Sequence, residues 1–435
     1  GPPPAPCSLF RNPDLAAVYR RIVAEAEAAG PDREAQIEAA RDAWYRGFVA
    51  EAIDAFCRST PVFDSSRRRH HGLLTADDMA RWRARVEAPL TYDYHGVTVC
   101  KTGPWGQGPV FLQQLALLKG FDLAAMDPLG AEFVHTVTEC AKLAFADREA
   151  FYGDPDFVDV PVGRLLSDAY NDERRALVGE RASKRLRPGR IAGFGGPVIV
   201  PRPGASELPG DSFDGIGVGE PTLARPAPSH GHETPVPGDP AAPGDTCHLD
   251  VIDRHGNMVS ATPSGGWLQS SPVVPGLGFC LTNRGQMFWL DPRSPSALAP
   301  GKRPRTTLTP SLALKDGRGW MAFGTPGGDQ QDQWSLVFFL RHLHHGLNLQ
   351  AAIDAPMFHT EHMPSSFYPR LAEPGSLLLE GRFAKDVVRA LRRRGHRVAV
   401  GEPWSLGRLS AAKRENGVLK TGANPRGMQG YAVGR

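Results

Sequence analysis

The pattern of apolar and polar positions changes character twice along this chain. In the first part it is helical: after Asn12-Pro13, an N-cap followed by proline at N1, Leu15, Val18, Tyr19, Ile22 and Val23 recur on one face. The same period predicts a second helix over 36–57, and Thr75 with Asp78 three residues on predicts a capped third one. LTYDYHGVTVC (90–100) alternates instead and reads as strand, turn and strand. Helical periods return near 108–119, 130–150 and 168–178. From about 186 to 245 no period survives. RPGRIAGFGG, PRPGASELPG and HETPVPGDPAAPGD carry proline and glycine in place of a buriable face, which predicts a mobile segment. At Asp245-Thr246 strand texture begins at once. TCHLDVID and MVSAT flank RHGN as a hairpin, and RTTLTPSLALKDGRGWMAF predicts a strand pair turning at Asp316-Gly317. A helix over 330–345 stopped by Gly346, another over 383–395 ended by glycine, and the strand HRVAVGE follow. The expected architecture is α/β, with sheet layers clothed by helices. It divides into a mostly helical region 1–185, the segment 186–245 and a strand-rich region 246–435.

Composition narrows the picture only a little. With 435 residues, 41% hydrophobic and 22% charged, the chain matches an ordinary soluble globular protein with room for a large core. No apolar run approaches the roughly 18–20 residues of a membrane span. A net charge of +3 argues against a dedicated nucleic-acid binder. The six cysteines are scattered without a C-x-x-C pair, which speaks against a zinc module or a disulfide framework and fits a reducing, cytoplasmic compartment. HLHHG (342–346) reads as histidines complementing a helix end rather than as a metal site, and SRRRHH (66–71) as a solvated basic loop.

Three stretches carry candidate chemistry. A cut between Asp245 and Thr246 would give Thr246 a hydroxyl and a free α-amine with a reference pKa of about 7.7–8.0, nucleophile and base in one residue. Thr246 could equally be a β-branched residue that starts a strand. In GWMAFGTPGGDQQDQWSLVFFL (319–340) a strand runs through Thr325-Pro326-Gly327-Gly328 into a helix. Free N–H groups there suit an anion or an oxyanion, although an ordinary strand-to-helix turn looks the same. In PGKRPRTTLTPSL (300–312), Lys302, Arg303 and Arg305 surround Thr306, Thr307 and Thr309, as an anion site or as a solvated loop. His248, two residues beyond Thr246, shares its strand face and reads as a structural histidine more than as a helper of the nucleophile.

GDTCHLDVIDRHGNMVS, PGKRPRTTLTPS and FGTPGGDQQ, in that order and spacing, resemble the γ-glutamyltransferase family of N-terminal-nucleophile hydrolases. GLLTADDMARWRARVEAPLTYDYHG and AKLAFADREAFYGDPDFVDVPVGRLLS resemble that family's large-subunit region. The resemblance implies a four-layer αββα sandwich, made as a precursor that cuts itself into large and small subunits which stay together. Thr246 matches the residue that directs the cut after Asp245 and then serves as nucleophile. Gly327 and Gly328 match the oxyanion glycines, Ser264 the hydroxyl that orients the nucleophile, and Thr306 and Thr307 a hydroxyl pair on the substrate carboxylate. The implied partner is a small amide or peptide, and the chemistry asks for no metal or organic cofactor.

Two departures stand out. In GFCLTNRGQMFWL (278–290), Met287 falls where the family grips the substrate's α-amino group with an acidic residue, and Gly266 replaces an asparagine at the same end. The acyl group is therefore open between γ-glutamyl, another amide and a carbon–carbon bond, and an inert scaffold with this fold is the competing reading. The family also carries a block of strands ahead of the region corresponding to residue 1, with an arginine for the substrate carboxylate. The fold is accordingly expected to be incomplete at that end, with an exposed apolar edge.

Overall fold

The computed structural model describes residues 8–63, 68–200, 246–266, 271–367, 370–426 and 430–434. Asp245 and the stretch 201–245 lie outside the described residues, as do Ser66 and Arg67 of the basic run.

The chain forms two units. The smaller comprises Gly1–Glu87 with Trp267–Asn283. Its helices are α1 (Pro13–Ala28), α2 (Arg33–Tyr45), α3 (Phe48–Ser59) and α4 (Ala76–Arg81), and β1 (Val62–Phe63) pairs with β2 (Arg69–His70). The Asn12 side chain caps α1 by accepting from Leu15 N, and Thr75 and Asp78 form the expected reciprocal box on α4. The single helix expected over 36–57 is two helices. Gly47 breaks it: a Cβ there would lie 3.1 Å from Ala43 O, so glycine lets the chain turn sharply between α2 and α3. Val18, Val49, Ile53 and Met79 close a small core with Val274 and Leu277, and Trp44 stacks on Phe279.

The larger unit comprises Ala88–Gly266 and Arg284–Arg435. Its main sheet runs β13-β12-β8-β7-β4-β3, built from β3 (Leu90–Tyr94), β4 (Val97–Lys101), β7 (Ser311–Lys315), β8 (Arg318–Gly324), β12 (Ser410–Glu415) and β13 (Val418–Ala423). Three of its connections are two-residue turns, His95-Gly96, Asp316-Gly317 and Asn416-Gly417, with both residues at positive φ in each. This is the turn whose twist matches that of paired strands. The third hairpin, β12–β13, is absent from the sequence expectations.

One face of this sheet packs on α5 (Gly108–Leu118) and α9 (Gln331–His344), with α6 (Ala131–Phe151) behind α5. The other face packs on the ladder of β5 (Leu249–Ile252) and β6 (Met258–Ala261). Phe111, Phe323, Phe338 and Phe339 interlock at the centre, each fully buried and stabilising the fold by about 1.5–3 kcal/mol. Short helices α7 (Val162–Leu165), α8 (Asp168–Arg175) and α10 (Leu349–Asp354), then β9 (Phe358–His359), β10 (Ser376–Leu379), α11 (Lys385–Arg393) and β11 (Arg397–Val400), complete the unit. The outer face of β5–β6 presents Leu249, Val251 and Val259 to solvent. No third strand joins this ladder among the described residues. Among the described residues an apolar face is thus exposed beside Thr246. Among the described residues no helix is long and apolar enough to cross a membrane.

Candidate active site

Thr246 stands three residues ahead of β5, where Cys247 N donates to Pro263 O and prolongs the ladder towards Ser264. Across that gap Thr246 Oγ1 donates to Ser264 Oγ at 2.9 Å, and Gly266 N donates to the same oxygen at 3.1 Å. Gly266 therefore supplies a backbone contact to Ser264 from a positive φ of 94°. Arg284 enters from a 3₁₀ turn, Arg284–Met287. Its Nη2 donates to Ser264 Oγ at 2.5 Å and lies 3.5 Å from Thr246 Oγ1; its Nη1 reaches Thr307 Oγ1 at 3.4 Å and Met287 Sδ at 3.5 Å. Residues three apart eclipse on a 3₁₀ turn, which is why Arg284 and the buried Met287 meet. The sequence reading passed over Arg284. Its one signal was a cation three residues before the position already noted as anomalous.

The glycine turn ends β8 and leads through a 3₁₀ turn, Gly328–Gln330, into α9. Gly327 has φ 137° and Gly328 φ 52°, and a Cβ on Gly327 would sit 2.4 Å from the Trp334 ring, so only glycine fits. Behind the turn lies a buried polar network. Gln107 Nε2 donates to Gly328 O at 3.2 Å, and Arg148 Nη1 donates to Gln107 Oε1 at 2.9 Å and to the Asp329 carboxylate. Ser366 donates to Asp329 from its backbone N at 2.8 Å and from Oγ at 2.6 Å. Burial alone would push the Asp329 carboxyl up, but Arg148 and Ser366 together hold it below the usual aspartate value. Glu149 bridges Arg148 and Arg305, at 2.8 and 2.9 Å.

The threonines of 300–312 fall in different places. Thr307 is buried against Arg284, whereas Thr306 N donates to Trp105 O at 3.0 Å and its Oγ1 accepts from Leu308 N. Thr309 Oγ1 donates to Asp332, which pairs at 2.9 Å with the fully buried Lys101. The basic residues are held by protein groups: Arg303 by Asp154, Arg305 by Glu149, and Lys302 by Pro295 O. His248 contacts Thr262 Oγ1 at 2.8 Å and Asp250 at 3.0 Å, in the manner of a structural histidine, and the Cβ-less Gly324 leaves room for its ring. His342 and His344 of HLHHG contact Leu347 O and the Tyr94 hydroxyl. The structure therefore gathers Thr246, Ser264, Gly266, Met287 and Thr307 around Arg284. Thr246 and Pro326, the residue before Gly327, line one cavity of about 350 Å³.

A family model described as Gamma-glutamyltranspeptidase matches residues 1–434. The oxamate amidohydrolase proenzyme of Klebsiella pneumoniae subsp. pneumoniae is 30% identical over 439 residues, which cover 100% of this chain and 67% of the relative. The solved structure of LmbA2991T421A is 52% identical with a TM-score of 0.87, covering 100% of this chain and 70% of that one. The crystal structure of cephalosporin acylase from Bacillus halodurans is 29% identical with a TM-score of 0.70, covering 96% and 61%. The chain spans about 60% of the length of the curated relatives it matches.

Proposed function

The chain belongs to the gamma-glutamyltranspeptidase family and has its N-terminal-nucleophile hydrolase fold, and from that premise we propose that Thr246 is the nucleophile of an amidohydrolase or acyltransferase, freed by self-cleavage after Asp245. Family members are proenzymes processed into two subunits, and they act on small amides. The observation that carries the reading is the hydrogen bond of 2.9 Å from Thr246 Oγ1 to Ser264 Oγ, itself fixed by Gly266 N and Arg284. A mere strand-opening threonine has no need of an oriented hydroxyl.

After the cut, the α-amine of Thr246 takes the proton from Oγ1 as Oγ1 bonds to the acyl carbon. The N–H groups of Gly327 and Gly328 receive the oxyanion; their turn is backed by buried hydrogen bonds at Gly328 O and Asp329, and such donors act best when they need no reorganisation. The proton passes to the leaving amine as the amide C–N bond breaks. Water or a second amine then takes the acyl group from Thr246. The acyl group in this reading is γ-glutamyl or that of a related amide, and Met287 favours the second. An α-ammonium brought to Met287 meets a thioether, a weak acceptor, where the family's pattern has an acidic group. A relative named for oxamate fits a frame that accepts other acyl groups.

Mass spectrometry of the full-length protein tests the proposal. Two polypeptides, the smaller starting at Thr246, are expected, with Thr246→Ala remaining intact and inactive. An uncut chain whose turnover survives Thr246→Ala would refute it.

A further inference from the structure

We propose that residues 179–187 are a proton-sensitive clasp between the two fragments of the cut chain, kept closed by the pair His135–His396. As a joint between separate chains it rests on the cut after Asp245; as a contact it exists in the uncut protein too. The segment is neither helix nor strand, so its backbone is held from outside. On the larger fragment, His135 Nε2 donates to Gly179 O at 2.8 Å, Lys142 Nζ donates to Ser183 O at 3.1 Å, and Glu139 accepts from Ser183 N at 3.2 Å. On the smaller fragment, Arg394 O accepts from Ala182 N at 2.8 Å, and His362 Nε2 donates to Arg185 O at 3.2 Å. His396, between α11 and β11, reaches across and sets its Nε2 2.8 Å from His135 Nδ1.

That pair has room for one proton. His135 bonds a carbonyl through Nε2 only as a donor, so in its neutral form Nδ1 is bare and accepts from His396 Nε2. Nδ1 of His396 is buried with no hydrogen-bond partner among the described residues. An added proton therefore sets two N–H groups against each other or leaves a buried donor unpaired. The surrounding charges add to the penalty. Lys142 and Arg394 face both rings, Lys142 and Arg187 face His362, and the Glu139 carboxylate is already taken by Lys142 at 2.6 Å and Arg187 at 3.2 Å. The same cations disfavour a metal ion on His135, Glu139 and His396, whose ligand atoms lie within 4.8 Å of one another. Burial pushes His135 below the ordinary histidine value, His396 to about 3 and His362 to about 4. Imidazoles that are neutral in the closed clasp and ordinary in an open one stabilise it fully above about pH 6.5. That hold is lost as pH falls towards their lower values.

Hydrogen exchange on the self-cleaved full-length protein, corrected for the intrinsic effect of pH, tests the clasp. One such imidazole favours opening about twentyfold more near pH 5 than near pH 7, so protection over 179–187 should fall by about tenfold or more. Peptides of α9 should keep theirs. His396→Gln, which can face His135 with either its N–H or its carbonyl and does not titrate, should flatten the change. Equal protection of 179–187 at both pH values, or an undiminished fall in His396→Gln, overturns the proposal. Imidazole nitrogen shifts of the unaltered protein read the same point without a variant. Both rings are expected neutral near pH 6, and an imidazolium at either one overturns the clasp. Failure of the nucleophile reading shows separately, as an uncut chain in the mass spectrum, and the pH dependence over 179–187 is then expected to persist.

Discussion

The β5–β6 hairpin and Pro326, at the start of the glycine turn, line one cavity, and the two are held in different ways. Behind the turn, Asp329, Arg148, Gln107 and Ser366 are buried and joined by charge-assisted hydrogen bonds. The hairpin has four-residue strands, packs on the main sheet with one face and exposes Leu249, Val251 and Val259 on the other. Donors for an oxyanion work only if they are aimed beforehand, and a buried network determines their direction. A nucleophile that must first be released from its own chain needs the looser wall.

If this contrast is right, the largest effect comes from Arg148→Met. It leaves Asp329 buried without its cation and should destabilise the protein by about 3–5 kcal/mol, read from the denaturant midpoint. A loss under 1 kcal/mol would show that the turn does not depend on the network. A smaller effect follows from pH. Asp329 titrates below the usual aspartate value in the folded state, so its contribution is complete above that value. It drains away as pH falls through the lower folded value. Melting temperature should therefore drop on acidification below about pH 4, less steeply in Asp329→Asn. An equal slope in that variant would assign the acid sensitivity elsewhere. The smallest effect belongs to the hairpin: Val251→Thr with Val259→Thr should change the stability of this chain by less than about 0.5 kcal/mol. A larger loss would mean that this face packs on something.

The hairpins show what could be read in advance. His95-Gly96 and Asp316-Gly317 were legible because only a few residue types tolerate positive φ at both turn positions. Asn416-Gly417 carries the same signal and was overlooked, since the charged strands KRE and VLK around it lack an apolar alternation. The split between α2 and α3 was missed because one glycine inside a helical period is usually tolerated; here the close approach to Ala43 made it a break. The basic run 302–305 left an anion site open, and the carboxylates that hold it are Asp154 and Glu149, about 150 positions earlier in the chain.

The order of motifs along the chain by itself determined the family, the helix caps, the tight turns and the candidacy of Thr246, Gly327 and Gly328, because each depends on local stereochemistry or on nearby residues. Tertiary structure alone decided that Arg284 faces Thr246, Ser264 and Thr307, that Thr306 turns away to Trp105, and that Arg148 supports the turn at Asp329. Those pairings join residues 20 to 201 positions apart, and which charge meets which is settled by how the sheet and helices pack, a matter no local pattern encodes.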